Sequence, residues 1–348
     1  MKYHGERMTK HKRIKLNMRP SLVDDLIHAY LSGNAPTRAS VSERCGVSRA
    51  SAGKVAKALV ESKIMCEKTF SMNGDAPSAH LFVDDDVNVM IIDLSTPRFS
   101  LTLFDPNAQV KFQATYSYDT SVLFDDNLNI FLSRCGLKAK QSEHPYSAIA
   151  VIYADDIRHT YLENAEAKSI LPSIHNEEKI DRLVFSVFHK HVTKHLTVSM
   201  AICESLKFNA SSSILDKAGV SYIFLGSRLF SFHVYQNGSI TVCSPQNILS
   251  DNEKELIIKS RSISKDELDT LFIRLAIFMD SAFCPAVMLL ESDNLLPDDD
   301  TAQKLYRAFA LKGITPPIIQ YKSSDKPLYI LGAIKSSLFA IAKKYIIT

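Results

Sequence analysis

Residues 41–60 read Val41-Ser42-Glu43-Arg44-Cys45-Gly46-Val47-Ser48-Arg49-Ala50-Ser51-Ala52-Gly53-Lys54-Val55-Ala56-Lys57-Ala58-Leu59-Val60. The pattern predicts two short helices joined by a tight turn at Gly46, where a left-handed backbone favours glycine. Ser48 is a good N-cap for the second helix, and apolar residues recur within that helix at three- and four-residue spacing. This pattern is typical of a helix-turn-helix, whose second helix enters the major groove of DNA.

The flanking sequence extends the motif to a winged helix-turn-helix. An amphipathic helix is predicted from Pro20 to Leu31, with Pro at its start and Gly33 just beyond its end. Behind the motif, two β-rich runs, 64–70 and 79–83, flank Asn73-Gly74, a strong hairpin signal. Three helices followed by a hairpin predict a DNA-binding domain over residues 19–84.

The distribution of charge agrees with a DNA-binding head. Residues 1–68 contain fourteen Lys and Arg against six Asp and Glu, a net charge of +8, whereas the whole chain carries only +3. A basic head on a mildly acidic body fits phosphate binding confined to one end. The alternative is a protein-binding winged helix with a solvated basic tail. Residues 1–18 are predicted to be a basic, flexible tail.

The outward positions of the motif supply the predicted DNA contacts. Arg49, Ser51 and Lys54 are expected at base edges, next to the N-cap Ser48, while Arg38, Arg44, Lys57 and the tail are expected on phosphates. Gly53 is unusual within a recognition helix, and close approach to the DNA backbone is one explanation.

Composition excludes several other classes of protein. No apolar run is long enough to span a bilayer, and no apolar segment follows the basic N-terminus, so a cytoplasmic protein without an anchor is expected. The six cysteines stand at least 21 residues apart. That spacing gives no CxxC zinc pair and no short disulfide framework, so reduced thiols and no metal are expected.

The body repeats one pattern of elements. A three-strand meander, a helix and a buried strand are predicted over 87–153, and the same order returns over 220–291. Two such lobes face each other in actin-like ATPase (ribonuclease H-like) folds. The sequence therefore predicts an α/β chain with a first lobe over 87–200, a second lobe over 201–331, and a final helix over 332–348 that packs back on the first lobe.

With its head and two lobes, the chain resembles the ROK family (repressors, open reading frames and sugar kinases), especially its transcriptional branch, which includes xylose and N-acetylglucosamine repressors. The segment Leu331-Gly332-Ala333-Ile334-Lys335-Ser336-Ser337 resembles the Gly-Ala start of the family's final helix. The resemblance implies a homodimer, or a dimer of dimers, that binds a palindromic operator in double-stranded DNA. It also implies a sugar or sugar-phosphate effector.

The kinase motifs of the family are largely missing. The family's Asp-Ile-Gly-Gly-Thr is replaced by Asp93-Leu94-Ser95-Thr96-Pro97, without the glycines whose backbone N–H groups close on phosphate. Its Gly-Thr-Gly-Ile-Gly is replaced by Gly226-Ser227-Arg228-Leu229-Phe230. Where the family has its general-base Asp, the alignment places Met200, which cannot accept a proton. The expectation is a body without catalytic residues, cofactor or metal.

Some polar residues of the lobes are still candidates for binding an effector. Asp155 and Asp156 follow a strand and either hold a sugar hydroxyl or cap the next segment. Glu204 is either a displaced base or a solvated helix-face residue. His189, His191 and His195 have metal-compatible spacing, but ordinary exposed histidines are favoured. The predicted ligand residues are Asp93, Ser95, Asp155, Asp156, Ser199, Glu204, Gly226, Ser227 and Arg228.

These features predict a DNA-binding transcriptional regulator, a repressor, with a catalytically dead, kinase-like sensor or dimerisation body. Two alternatives remain open. One is an active sugar kinase with an appended DNA-binding head. The other is a scaffold whose cleft is empty.

Overall fold

The computed structural model describes residues 12–33, 36–70, 77–96, 98–119, 121–142, 145–155, 176–209, 219–225, 230–236, 239–243, 250, 252, 264–292, 298–321 and 326–348. The head contains helices α1 (Pro20–Ser32), α2 (Arg38–Arg44) and α3 (Arg49–Glu61). Gly46 between α2 and α3 has a φ of +61°, as the turn requires. The predicted helix-turn-helix is confirmed.

The wing is an antiparallel hairpin of β2 (Met65–Phe70) and β3 (Ser78–Val83). The predicted turn at Asn73-Gly74 lies outside the described residues. Asp84 at the end of the wing donates its backbone N–H to the Ile64 carbonyl, which closes the head before the first lobe begins.

The first lobe is built on one five-stranded sheet. Its strands are β4 (Val89–Leu94), β5 (Arg98–Phe104), β6 (Val110–Ser117), β7 (Ala148–Tyr153) and β8 (Lys194–Thr197), in the order β6-β5-β4-β7-β8. The meander β4-β5-β6 is antiparallel, whereas β7 and β8 are added in parallel. Helices α4 (Phe124–Gln141) and α5 (Glu177–Phe188) lie in the connections, and α6 (Val198–Asn209) follows β8.

The second lobe repeats this topology. Its strands are β9 (Val220–Leu225), β10 (Phe230–Gln236), β11 (Ser239–Cys243), β12 (Val287–Ser292) and β13 (Ile318–Tyr321), in the order β11-β10-β9-β12-β13. Helices α7 (Lys265–Phe283) and α8 (Asp299–Leu311) connect its parallel strands. Both sheets place the first meander strand at the centre and add two parallel strands beside it, so the predicted duplication is confirmed.

The last helix, α9 (Leu328–Tyr345), packs along α6 and against β4, β7 and β8 of the first lobe. The two helices cross so closely that a Cβ atom built on Gly332 would lie 1.7 Å from the Ala201 carbonyl oxygen. The close crossing of α6 and α9 therefore explains why position 332 is a glycine.

The N-terminal segment differs from the prediction of a flexible tail over 1–18. Strand β1 (Ile14–Lys15) pairs in parallel with β14 (Ile346–Ile347), directly behind α9. Leu16 donates its backbone N–H to the Ile347 carbonyl at 2.7 Å. This pairing could not be predicted from the sequence because two-residue strands carry no periodicity.

The head and the first lobe share one hydrophobic core. Buried residues of α1 and α3, such as Leu26 and Leu59, belong to the same cluster as Ile202 of α6 and Ile334 of α9. Two predicted boundaries also fall inside helices, since residue 200 lies in α6 and residue 332 lies in α9. The helices continue through these points because each has an apolar face that must be buried.

Candidate functional site

Helix α3 is fixed at its start by the expected cap. The Ser48 side chain accepts a hydrogen bond from the Ser51 backbone N–H at 3.1 Å, and the two hydroxyls lie 3.0 Å apart. At the end of α1, Tyr30 donates its hydroxyl to the Ala52 carbonyl, and burial raises its pKa to about 12. The hydrogen bonds at Ser48 and at Ala52 hold α3 in one orientation relative to the rest of the head.

The outward side of α3 is cationic. Arg49, Lys54 and Lys57 are exposed, whereas Ala52, Val55, Ala56 and Leu59 are buried. Ser51, which was predicted to read bases, is only partly exposed and lies in the N-terminal cap. At the helical angle of 100° per residue, the exposed Ala50 and the partly exposed Gly53 lie on the same arc as Arg49 and Lys57.

The predicted phosphate contacts beside α3 differ in their surroundings. Arg44 is exposed at the end of α2. Arg38, at the start of α2, forms an ion pair with Glu67 of the wing, with an N–O distance of 2.6 Å. Since both side chains are partly solvent-exposed, the pair contributes little to stability and leaves Arg38 able to exchange partners.

Asp93 lies at the carboxyl end of β4 and is buried. Its Oδ1 accepts hydrogen bonds from the Ser95 backbone N–H at 2.9 Å and from the Ser95 hydroxyl at 2.6 Å. Its Oδ2 accepts a hydrogen bond from the Tyr329 hydroxyl of α9 at 3.1 Å. Burial raises the pKa of this carboxyl, and the three hydrogen bonds oppose that shift. Both carboxylate oxygens therefore have partners within the protein.

We expect Asp93→Asn to change how stability depends on pH. Because the folded-state pKa of Asp93 is raised, the native protein loses stability as pH rises from below the ordinary value of 3.8 through the raised value. The asparagine variant lacks this loss. The free energy of unfolding of the variant minus that of the wild type should therefore increase as pH rises through this range. Urea unfolding of both proteins from pH 4 upward measures the difference. A constant difference would contradict the raised pKa.

Asp155 caps a helix. It lies just beyond β7, and its carboxylate accepts the Ser199 backbone N–H at 3.0 Å as well as the Ser199 hydroxyl at the start of α6. The predicted cap concerned the segment that follows Asp156, which lies outside the described residues, whereas Asp155 caps its helix at Ser199, 44 residues further along the chain. Glu204 lies one turn further along α6 and is partly exposed. Asp156, Gly226, Ser227 and Arg228 lie outside the described residues.

A buried hydrogen-bond network joins the two lobes through the first turn of α9. In the second lobe, Tyr222 of β9 donates its hydroxyl to Glu291 Oε2 of β12 at 2.5 Å. The same oxygen accepts the Leu328 backbone N–H at 3.1 Å, and the next residue, Tyr329, reaches Asp93 in the first lobe. We call Asp93, Ser95, Tyr222, Glu291 and the Leu328–Tyr329 turn the interlobe network.

Sequence reasoning identified two members of this network, Asp93 and Ser95, and missed the other three. Glu291 is only 2% exposed, and within β12 it directly follows the apolar run Val287–Leu290. An acid at the end of a buried strand is a usable signal, because buried carboxylates require partners. Nothing in the sequence could have identified those partners as Tyr222 and the first turn of α9.

The three histidines considered as metal ligands have other roles or partners in the protein. His191 Nδ1 lies 2.7 Å from Asp181, and His195 Nδ1 lies 2.7 Å from the Tyr153 hydroxyl. Burial lowers the pKa of His195. His189 ends α5 in a left-handed conformation, with a φ of +54°.

Comparison with solved structures decides the fold. A ROK family transcriptional regulator, described as a homologue of the Mlc protein of E. coli, superposes with a TM-score of 0.57 and 11% sequence identity. The match covers 92% of this chain and 98% of that one. The chain has the fold of this regulator. A winged head followed by a two-lobed actin-like body, as the resemblance implied, is thereby confirmed.

Other ROK proteins align over a smaller share of the chain and with lower scores. A ROK family protein from Streptococcus pneumoniae in complex with sucrose has a TM-score of 0.45 and 14% identity, over 72% of this chain and 98% of that one. A ROK hexokinase from Thermus thermophilus has a TM-score of 0.43 and 14% identity, over 72% and 97% of the two chains. No family model and no curated protein matches the sequence.

Two residues of the described part of the body bear on the predicted loss of phosphate transfer. Met200 is 43% exposed at the start of α6 and offers only a thioether. Ser95 is fully buried, and its hydroxyl donates to Asp93. Every helix in the described part of the chain is too short or too polar to span a bilayer.

Proposed function

We propose that the protein is a DNA-binding transcriptional regulator, a repressor, that acts in the cytoplasm on duplex operator DNA. The observation that carries the proposal is the exposed cationic arc of α3, with Arg49, Lys54 and Lys57 on a helix capped by Ser48. A recognition helix of this kind places its N-terminal residues against base edges, and cations further along it contact phosphates. The shared fold of a regulator that also carries a head supports this reading.

Arg49→Ala is expected to weaken specific DNA binding by about 1–3 kcal/mol, because Arg49 lies in the first turn of the recognition helix. Fluorescence anisotropy with a fragment selected from the organism's own genome measures the change. Arg134→Ala, at an exposed position of α4 in the first lobe, removes the same charge and serves as the matched control. Equal affinities for the wild type and Arg49→Ala would contradict the assignment.

We further propose that the body transfers no phosphate. The support is the exposed Met200 in place of a base and the occupied carboxylate of Asp93, which already accepts hydrogen bonds from Ser95 and Tyr329. Calorimetric titration with ATP and Mg²⁺ should give no binding heat. Measurable phosphorylation of any hexose would establish the alternative, an active sugar kinase with an appended head.

The remaining part of the proposal is that the body senses a sugar or sugar phosphate as a homodimer or dimer of dimers. The resemblance to the transcriptional branch supports it. A true sensor should be stabilised by one ligand from a panel of sugars and sugar phosphates, since a ligand that binds only the native state raises its stability. A flat thermal-shift profile across the panel would favour a scaffold. Sedimentation analysis measures the oligomeric state.

A further inference from the structure

Two crossed helices connect the interlobe network to the head. Helix α6 starts at the Asp155 cap and carries Phe208 near its end, and Phe208 stacks on His28 of α1 with ring centroids 3.8 Å apart. Helix α9 starts at the interlobe network and carries Phe339, whose ring meets His28 edge-on at 5.9 Å. The first-lobe acids and the head thus lie at opposite ends of the same helix pair.

The contact between α9 and α1 continues along the helix. Lys335 donates its Nζ to the Leu31 carbonyl at 2.7 Å, in the last turn of α1, where a cation meets the negative end of the helix dipole. Lys343 forms an ion pair with Asp24 at 2.6 Å, and β14 then pairs with β1 in front of α1. The head is therefore held against α9 at its side and at its N-terminal strand.

Helices α6 and α9 are packed too closely to shift independently. The crossing at Gly332 leaves no room even for a methyl group against the α6 backbone, so α9 cannot slide without displacing α6. Its first turn is held from two sides, by Glu291 in the second lobe and by Asp93 in the first. The bond to Glu291 comes from the Leu328 backbone N–H, whereas the bond to Asp93 comes from the Tyr329 side-chain hydroxyl. A substitution at Tyr329 can therefore remove the second bond without changing the backbone.

We propose that the Tyr329–Asp93 hydrogen bond is a latch that sets the position of α9 and, through it, the DNA affinity of the head. The inference rests on the proposed function of the head. A ligand that takes the place of the Tyr329 hydroxyl at Asp93 Oδ2 releases the first turn of α9 from the first lobe, while the bond to Glu291 remains. Because α9 and α6 both contact α1, the change reaches the recognition helix without a ligand near the DNA.

Tyr329→Phe tests the latch, because it removes the hydroxyl and keeps the ring. The dissociation constant for a fixed genomic duplex, measured by anisotropy below the melting temperature of each variant, is expected to change at least threefold. Tyr153→Phe is the matched control: Tyr153 is also buried, bonds to His195 in the same lobe, and lies off the helix pair. The control should change the constant less than threefold.

Removing the contact between Lys335 and α1 tests whether the effect of Tyr329→Phe passes through α9. In a Lys335→Met background, which removes the bond to Leu31, the effect of Tyr329→Phe should shrink by at least half. If that background fails to fold, Asp24→Asn cuts the exposed ion pair to Lys343 instead. Hydrogen exchange should show faster exchange of the α1 amides from Leu26 to Leu31 in Tyr329→Phe.

Three results would overturn the latch. The first is a change of less than threefold in the dissociation constant of Tyr329→Phe for DNA. The second is an equal change in Tyr153→Phe. The third is an undiminished effect of Tyr329→Phe in the Lys335→Met or Asp24→Asn background. Each of them leaves DNA binding by the wild-type protein intact, so the proposed function would stand. A wild-type protein that binds no genomic DNA would remove both proposals together.

Discussion

Gly332→Ala is expected to lower the free energy of unfolding by about 3 kcal/mol, at the upper end of the usual cost of overfilling a core. The added methyl carbon would lie 1.7 Å from the Ala201 carbonyl oxygen and 2.9 Å from the Ser205 backbone nitrogen. These are backbone atoms of a helix, which cannot rotate away as a side chain could. Helices α6 and α9 must separate, and their buried faces lose contact.

Gly53→Ala is the matched control for this prediction. Gly53 is also in the interior of a helix, but a Cβ atom there would meet only Arg38 Cδ, at 3.9 Å. Alanine should therefore stabilise the protein by about 0.5–1 kcal/mol through its higher helix propensity. Urea unfolding of the three proteins measures both effects. A Gly332→Ala variant as stable as the wild type would show that the two helices do not cross so closely.

The Gly53→Ala variant has a second use. In the described part of the head, a Cβ atom at this position would meet only Arg38 Cδ, and Gly53 lies on the cationic arc of α3. If the glycine allows close approach to DNA, the variant should be more stable and yet bind DNA more weakly. Its affinity and its stability would then change in opposite directions, which a loss of folding cannot produce.

Glu291→Ala is expected to lower the free energy of unfolding by about 3 kcal/mol, because it leaves the Tyr222 hydroxyl and the Leu328 N–H without this acceptor inside the protein. Each buried donor without a partner costs about 1–3 kcal/mol. The loss acts on both lobes at once, since Leu328 begins the helix that packs on the first lobe. Differential scanning calorimetry with urea unfolding measures it.

Two comparisons separate the loss of the acceptor from the loss of charge. Glu291→Gln keeps one acceptor oxygen at the same place and should therefore cost less than the alanine variant. Glu43→Ala removes an exposed carboxylate from α2 and should change stability by no more than about 0.5 kcal/mol. An alanine variant at 291 that unfolds like Glu43→Ala would contradict the network. Its effect on DNA affinity can be read only where it remains folded.

Sequence reasoning was most successful where the signal was local. The helix-turn-helix was predicted from the Gly46 turn, the Ser48 cap and the apolar spacing of α3, and all three features have the expected conformations. Glycine conformation, capping and periodicity each depend on residues a few positions apart. The two lobes were also predictable, because each strand and turn of the repeated pattern is recognised from residues close together in the sequence.

The candidate site was predicted only in part. Asp155 is predicted because an acid at the end of a parallel strand faces ligands in many α/β folds, and Asp93 because it matches the acid of the phosphate motif that the resemblance supplies. In the structure, Asp93 is bonded to Tyr329, 236 residues away, and Asp155 caps a helix 44 residues away. No spacing in the sequence encodes such partners, because they meet only when the last helix returns to the first lobe.

The sequence by itself determined a basic winged head and two duplicated lobes, and it predicts a body without the glycines and the base that phosphate transfer needs. Only the tertiary structure decided that the head is held to the body by α6, α9 and the β1–β14 pair, and that the first-lobe acid is occupied by Tyr329. The physical reason is that helix and strand formation follow from neighbouring residues, whereas burial of a polar group is decided by whichever distant partner satisfies its hydrogen bonds.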